Sequence, residues 1–293
     1  MAGPISLVLG SGGARGLTHI GAIRCLEEHG YEVRCIAGSS MGALIGGIYA
    51  AGKLDVYTEW VCELQRRDIV SLLDWSFSRG AVFGGDKIIT VLEEMIGEHS
   101  IEALDIRFIA VATEINDQRE IWLTQGSLFE AIRASIALPL VFAPVKRGDL
   151  LLVDGGLVNP VPIAPTLNDE TGMTVAVDLN ARAEQLPERH AQSPNKPDNS
   201  SSIRSRIVGF IENLTGSPEA ADSDYPSPIE LGLNSIDTMQ TQIARMKMAA
   251  YAPGLIVPIP RNLCTMFEFH RAAELIDFGY ERTRLALEKH NYI

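Results

Sequence analysis

The sequence predicts an α/β protein whose central, mostly parallel sheet is covered by helices on both faces. Three observations carry this. Short apolar runs alternate with helically patterned stretches from the first residues onward, as strands joined by crossover helices do. Glycine clusters follow several of those runs, at Gly10, Gly38 and Gly155, where a strand turns sharply into the next element. A chain of 293 residues with 46% hydrophobic content also has ample material for a large core.

Taken in order, residues 5–9 (ISLVL) read as a buried strand. Residues 17–29 carry Ile20, Ile23 and Leu26 at helical spacing and stop at Gly30. Residues 33–37 form the second strand and 41–51, rich in Ala, Ile and Gly, a buried helix. The stretch 53–100 is mostly helical with a glycine-rich break at 80–85. Strands are expected at 108–113, 121–123, 150–153, 173–179 and 255–259, with helices at 128–135, 229–251 and 267–290. From Arg182 the composition turns to Pro, Asn, Ser and charge, the mark of a surface loop. Within it, residues 203–214 show an amphipathic period. One domain over 1–293 is expected, with a polar, flexible insertion around 182–227. The 203–214 helix reads either as packed on the core or as a lid or interfacial anchor.

Charge narrows the function. With 25 Lys and Arg against 37 Asp and Glu, the formal charge is −12. Such a surface repels phosphate backbones, so no nucleic-acid partner is expected. Cys25, Cys35, Cys62 and Cys264 form no C-x-x-C pair and no zinc-finger spacing, as free thiols of a reducing compartment would. No signal peptide and no apolar run long enough to span a bilayer are found. A cytoplasmic protein is expected, with membrane contact limited to the periphery and driven by local apolar burial.

Two strand ends carry chemistry. The first strand runs into Gly10-Ser11-Gly12-Gly13-Ala14-Arg15-Gly16. A dinucleotide loop would want an acid at the end of the second strand, but Ala37-Gly38-Ser39-Ser40 stands there. A P-loop would want Gly-Lys-Ser/Thr, which is missing. A cradle of backbone N–H groups for an anion, as an oxyanion hole requires, also fits, and so does a simple tight turn. The second strand ends in Gly38-Ser39-Ser40-Met41-Gly42, a G-x-S-x-G sequence between strand and helix. In that setting the pattern is a nucleophile elbow presenting Ser40.

Ser40 needs a base. His29, His99, His190, His270 and His290 are poorly placed, and His19 lies inside the first helix, where packing or hydrogen bonding explains it. Asp154 closes an apolar strand before Gly155 and Gly156, at the kind of strand end where α/β sites assemble. It is either a turn residue or a carboxylate base acting without an imidazole.

Together and in this order, the glycine loop (Gly12, Gly13, Ala14, Arg15, Gly16), the elbow (Gly38 to Gly42) and Asp154-Gly155-Gly156 resemble the patatin-like phospholipase family, in particular its bacterial branch related to neuropathy target esterase. Arg133-Ala134-Ser135 followed by Pro139, and Asn159-Pro160-Val161-Pro162, add to the likeness, which covers about residues 5–180. Ser11 stands where many plant members have glycine. The resemblance implies a three-layer α/β/α fold and a Ser–Asp dyad of Ser40 and Asp154. It implies an oxyanion hole at Gly12, Gly13, Ala14 and Arg15, with Arg15 as nearby positive charge, and neither metal nor organic cofactor. The implied activity is hydrolysis of lipid acyl esters by a phospholipase, lysophospholipase or lipid esterase. The rivals are a soluble short-chain carboxylesterase or thioesterase, and a regulatory binding protein that keeps the fold. Acyl length, head group and oligomeric state stay open.

Overall fold

A computed structural model describes residues 3–72, 83–186 and 228–293. The 80–85 break falls partly, and the 203–214 helix wholly, outside the described residues.

Among the described residues the central sheet has eight strands: β1 (Pro4–Leu9), β2 (Glu32–Ser39), β3 (Arg107–Glu114), β4 (Arg119–Leu123), β5 (Val145–Arg147), β6 (Leu150–Asp154), β7 (Met173–Ala181) and β8 (Leu255–Pro260). Its order is β5-β6-β3-β2-β1-β7-β8, with β4 also on β3. The run β3-β2-β1-β7-β8 is parallel, as the alternating sequence predicts, while β4, β5 and β6 join antiparallel. β5 is short and half polar, with no period to announce it in the sequence.

The pairing around β3 positions the site. Val111 of β3 pairs with Ser39 at the end of β2, and Ala112 pairs with Asp154 at the end of β6. β4 pairs with Ala110–Glu114 throughout, so it occupies the opposite edge. β2 and β6 therefore share one edge of β3 in succession and meet with their C-terminal ends facing each other.

Alternation along the strands sorts two apolar layers. Ile5, Leu7, Leu9, Ile36, Phe108 and Val177 point into the larger core. That face packs against α1 (Thr18–Glu28), α2 (Met41–Ala50), α3 (Leu54–Glu63), α5 (Asp86–Ile96) and α6 (Leu128–Ser135), with α4 (Arg66–Leu72) beyond them. Val8 and Ala176 point the other way, under Val161, Ile163 and Ala244 of α7 (Pro228–Tyr251). Helices thus lie on both faces, giving the three-layer α/β/α architecture. α2 is apolar all round and is buried accordingly. The closing helix α8 (Ala272–Lys289) crosses α1 closely: a side chain at Gly21 or Gly279 would collide with the other helix's backbone.

Candidate active site

Ser40 sits at φ 55° and ψ −123°, a strained backbone for a residue with a side chain. Its neighbours make that turn possible. A Cβ at Gly38 would strike the Gly42 carbonyl, and one at Gly42 would strike the Leu9 carbonyl. The turn is also bolted from beneath. The Ser40 N–H donates to Ser135 Oγ at 3.0 Å, and Ser135 Oγ donates to the Val111 carbonyl at 2.6 Å. Ser40 stands at the N-terminus of α2, where aligned peptide dipoles favour developing negative charge.

Asp154 is buried at the end of β6 and lines the same cavity as Ser40. Its Oδ1 accepts the Gly156 N–H at 2.7 Å. Burial pushes the carboxyl up to about 6, against the lowering influence of the neighbouring Ser40 hydroxyl and the Gly156 N–H. It is therefore ionised at neutral pH, yet a stronger base than an ordinary carboxylate. A side chain at Gly155 would strike the Val111 carbonyl, so only glycine lets the β6 end approach β3 this closely.

The glycine loop divides its groups between scaffold and cavity. The Ser11 N–H goes to the Pro160 carbonyl at 2.8 Å, and the Ala14 N–H to the Met266 carbonyl at 2.9 Å. The N–H groups of Gly12 and Gly13 donate to no acceptor among the described residues, and both glycines line the cavity over Ser40 and Asp154. Of the four residues expected to hold an oxyanion, Ala14 thus has its donor already engaged. Arg15 lies 7% exposed. Its Nε donates to the Gly12 carbonyl at 3.2 Å, Nη1 to the Arg261 carbonyl at 2.6 Å and Nη2 to Asp237 at 3.0 Å. The guanidinium braces the loop while Arg15 also lines the cavity, as the nearby positive charge the sequence led us to expect there.

The cavity above the two residues measures about 150 Å³. Its walls are apolar: Leu44 from α2, Tyr57 and Val61 from α3, Leu92 from α5, Leu138 and Met266. Gln240 and Asp237 of α7 add a polar margin near Ser11. Among the described residues no histidine lines it. His19 is buried with Nε2 against the Gly10 carbonyl at 2.9 Å, and burial drops its pKa to about 4, so it stays neutral at physiological pH. Among the described residues no cluster of His, Cys, Asp or Glu is arranged to hold a metal. No helix among them is long and apolar enough to cross a membrane.

Sequence reasoning named Ser40, Asp154 and the glycines that shape their turns, and the structure brings them together. It missed Ser135, Asn180, Asp237 and Gln240, which hold the loop and the elbow. Ser135 and Asn180 had faint signals, the first in the Arg-Ala-Ser triplet and the second at a strand end. Asp237 and Gln240 had none.

Comparison with known proteins agrees with this architecture. Residues 7–167 match the model of the family described as patatin-like phospholipase. An uncharacterised NTE family protein of Mycobacterium tuberculosis (strain H37Rv) is 36% identical across 97% of this chain and 91% of its own. Neuropathy target esterase sws of Drosophila melanogaster is 32% identical over 61% of this chain, though only 13% of its own length is matched. Lysophospholipase NTE1 of Yarrowia lipolytica is 29% identical over 64% of this chain and 14% of its own. The chain belongs to the patatin-like phospholipase family. In general terms that makes it a lipid hydrolase.

Proposed function

We propose that the chain is a serine acyl-hydrolase acting on single long-chain acyl esters of lipids, lysophospholipids among them, with Ser40 as nucleophile and Asp154 as base. The observation that carries the reading is the meeting of Ser40 and the buried Asp154 in one apolar cavity that the unengaged N–H groups of Gly12 and Gly13 also line. Asp154 accepts the Ser40 proton as Oγ attacks the ester carbonyl. The carbonyl oxygen gains the negative charge and takes hydrogen bonds from Gly12 and Gly13. Collapse of this intermediate breaks the ester C–O bond, and the proton held by Asp154 passes to the departing alcohol. A water then gives its proton to Asp154 and attacks the acyl-enzyme. Collapse releases the fatty acid and returns the proton to Ser40. The apolar walls take the acyl chain.

Peripheral contact with a lipid surface belongs to the same reading. Leu140 and Leu231 are 37% and 57% exposed. Leu140 abuts the start of α7 and stands between Leu138 and Val141, both lining the cavity.

The test is turnover of nitrophenyl esters graded in chain length, beside lysophospholipid and diacyl phospholipid, with Ser40→Ala as control. The expected result is a maximum at long single chains, lost in Ser40→Ala. A maximum at two to four carbons supports the short-chain esterase instead. No turnover, with no labelling by a fluorophosphonate probe, supports a binding protein on this fold.

A further inference from the structure

Gly12 caps and Gly13 opens a short 3₁₀ turn, Gly13–Leu17, so neither N–H is engaged by a strand or an α-helix, yet an oxyanion hole works only if its donors are aimed before the charge appears. In a trans peptide the C=O of one residue and the N–H of the next point in opposite directions. Whatever holds the Ser11 carbonyl therefore aims the Gly12 N–H, and whatever holds the Gly12 carbonyl aims the Gly13 N–H. Every peptide bond among the described residues is trans.

Both carbonyls are held by buried side chains. Asn180, at the end of β7, donates from Nδ2 to the Ser11 carbonyl at 3.3 Å. Arg15 donates from Nε to the Gly12 carbonyl at 3.2 Å. Each clamp is itself secured. The Asn180 N–H donates to Asp178 Oδ1 at 2.9 Å, which fixes the backbone carrying the amide. Among the described residues the buried Asn180 Oδ1 has no partner. Turning the amide over would set that oxygen against the Ser11 carbonyl, so the donor orientation is the one chemistry permits. An amide kept buried with an unpaired oxygen forfeits desolvation energy, and among the described residues its side-chain hydrogen bond is the one to Ser11. Arg15 in turn is anchored by the Asp237 carboxylate, 3.0 Å from Nη2.

We infer that Asn180 and Asp237 are positioning residues of the acyl-transfer site: Asn180 aims the Gly12 N–H directly, and Asp237 aims the Gly13 N–H through Arg15. The inference rests on the serine-hydrolase reading and adds to it two residues from outside its three motifs. Neither side chain touches the reacting atoms. Their effect belongs to the transition state, when the carbonyl oxygen becomes an anion, and hardly to substrate binding.

The experiment measures kcat and KM on a long-chain nitrophenyl ester, together with the affinity of a long-chain alkylboronic acid, whose tetrahedral adduct on Ser40 presents an oxygen to the same donors. Asn180→Asp keeps the shape and replaces the donor with an acceptor. Its kcat should fall about a hundredfold, the scale for losing one oxyanion donor, with KM within about threefold of the parent. Boronate affinity should fall in step with kcat. Asp237→Asn should lower kcat by about tenfold and Asp237→Glu should restore most of it, since a charge-assisted anchor is stronger than a neutral one. Thermal melting reports folding; if Asn180→Asp does not fold, the Asp237 pair decides. The idea is overturned if folded Asn180→Asp keeps its kcat, if kcat falls while boronate affinity stays, or if Asp237→Asn and Asp237→Glu both behave as the parent. These outcomes leave the serine-hydrolase reading standing, because that reading fails only if Ser40→Ala retains turnover.

Discussion

At the residue scale, Asp154 pulls stability and reactivity in opposite directions. Its folded pKa, about 6, lies above the ordinary 3.8 because burial disfavours the charge. A proton then binds the folded state more tightly than the unfolded one. Stability falls as pH rises between about 4 and 6 and stays lower above, by an amount on the order of 3 kcal/mol. Asp154→Asn removes the ionisation. It is expected to abolish turnover, by about a thousandfold or more, while raising stability at pH 8 by about 1–3 kcal/mol in denaturant unfolding. The same pKa sets the activity profile: kcat/KM should fall about tenfold per unit as pH drops below about 6 and be flat above it. Ser135 makes the opposite case. Ser135→Ala leaves the buried Ser40 N–H without its acceptor, so a loss of about 1–3 kcal/mol is expected, together with slower fluorophosphonate labelling as the elbow loosens. His19→Asn should still label, because His19 supports the Gly10 carbonyl and does not face the cavity.

At the scale of elements, the parallel strands and the buried helix α2 could be read from local pattern because their burial follows a short period. So could Ser40 and Asp154, since each sits in a strand end marked by glycine. The antiparallel entry of β4 and β6 could not: an apolar run has the same composition whichever way it enters the sheet. Asn180 and Asp237 were hidden for a related reason, since their bonds to Ser11 and Arg15 span 169 and 222 residues. α7 carries much of that distant information. Asp237 and Gln240, one turn apart, reach Arg15 and Ser11 respectively. Its first turn also bears the exposed Leu231, next in sequence to Gly232, which Leu140 approaches. Replacing both leucines with serine should lower turnover of micellar lysophospholipid several-fold and leave a monomeric short ester unaffected. Equal losses on both substrates would show that the pair supports the fold and not the surface contact.

At the scale of the whole molecule, the formal charge of −12 opposes approach to anionic lipid. Turnover on anionic mixed micelles should therefore trail that on zwitterionic ones at low salt, and the gap should close as ionic strength rises. A gap that persists at high salt would point to head-group recognition inside the cavity. The arrangement of the sheet has a further consequence. Val111 and Ala112 are consecutive residues of β3, and they hold the ends of β2 and β6, whose sequences lie more than a hundred residues apart. Strand β3 acts as a ruler: Ser39, the residue before the nucleophile, and the base Asp154 are set one graduation apart along it, about 3.3 Å. The loops that lead into β2 and β6 have no part in that measurement, so lengthening them should leave the spacing alone. One residue inserted between Val111 and Ala112 would turn every later side chain of β3 to the opposite face and shift the mark on which Asp154 is set.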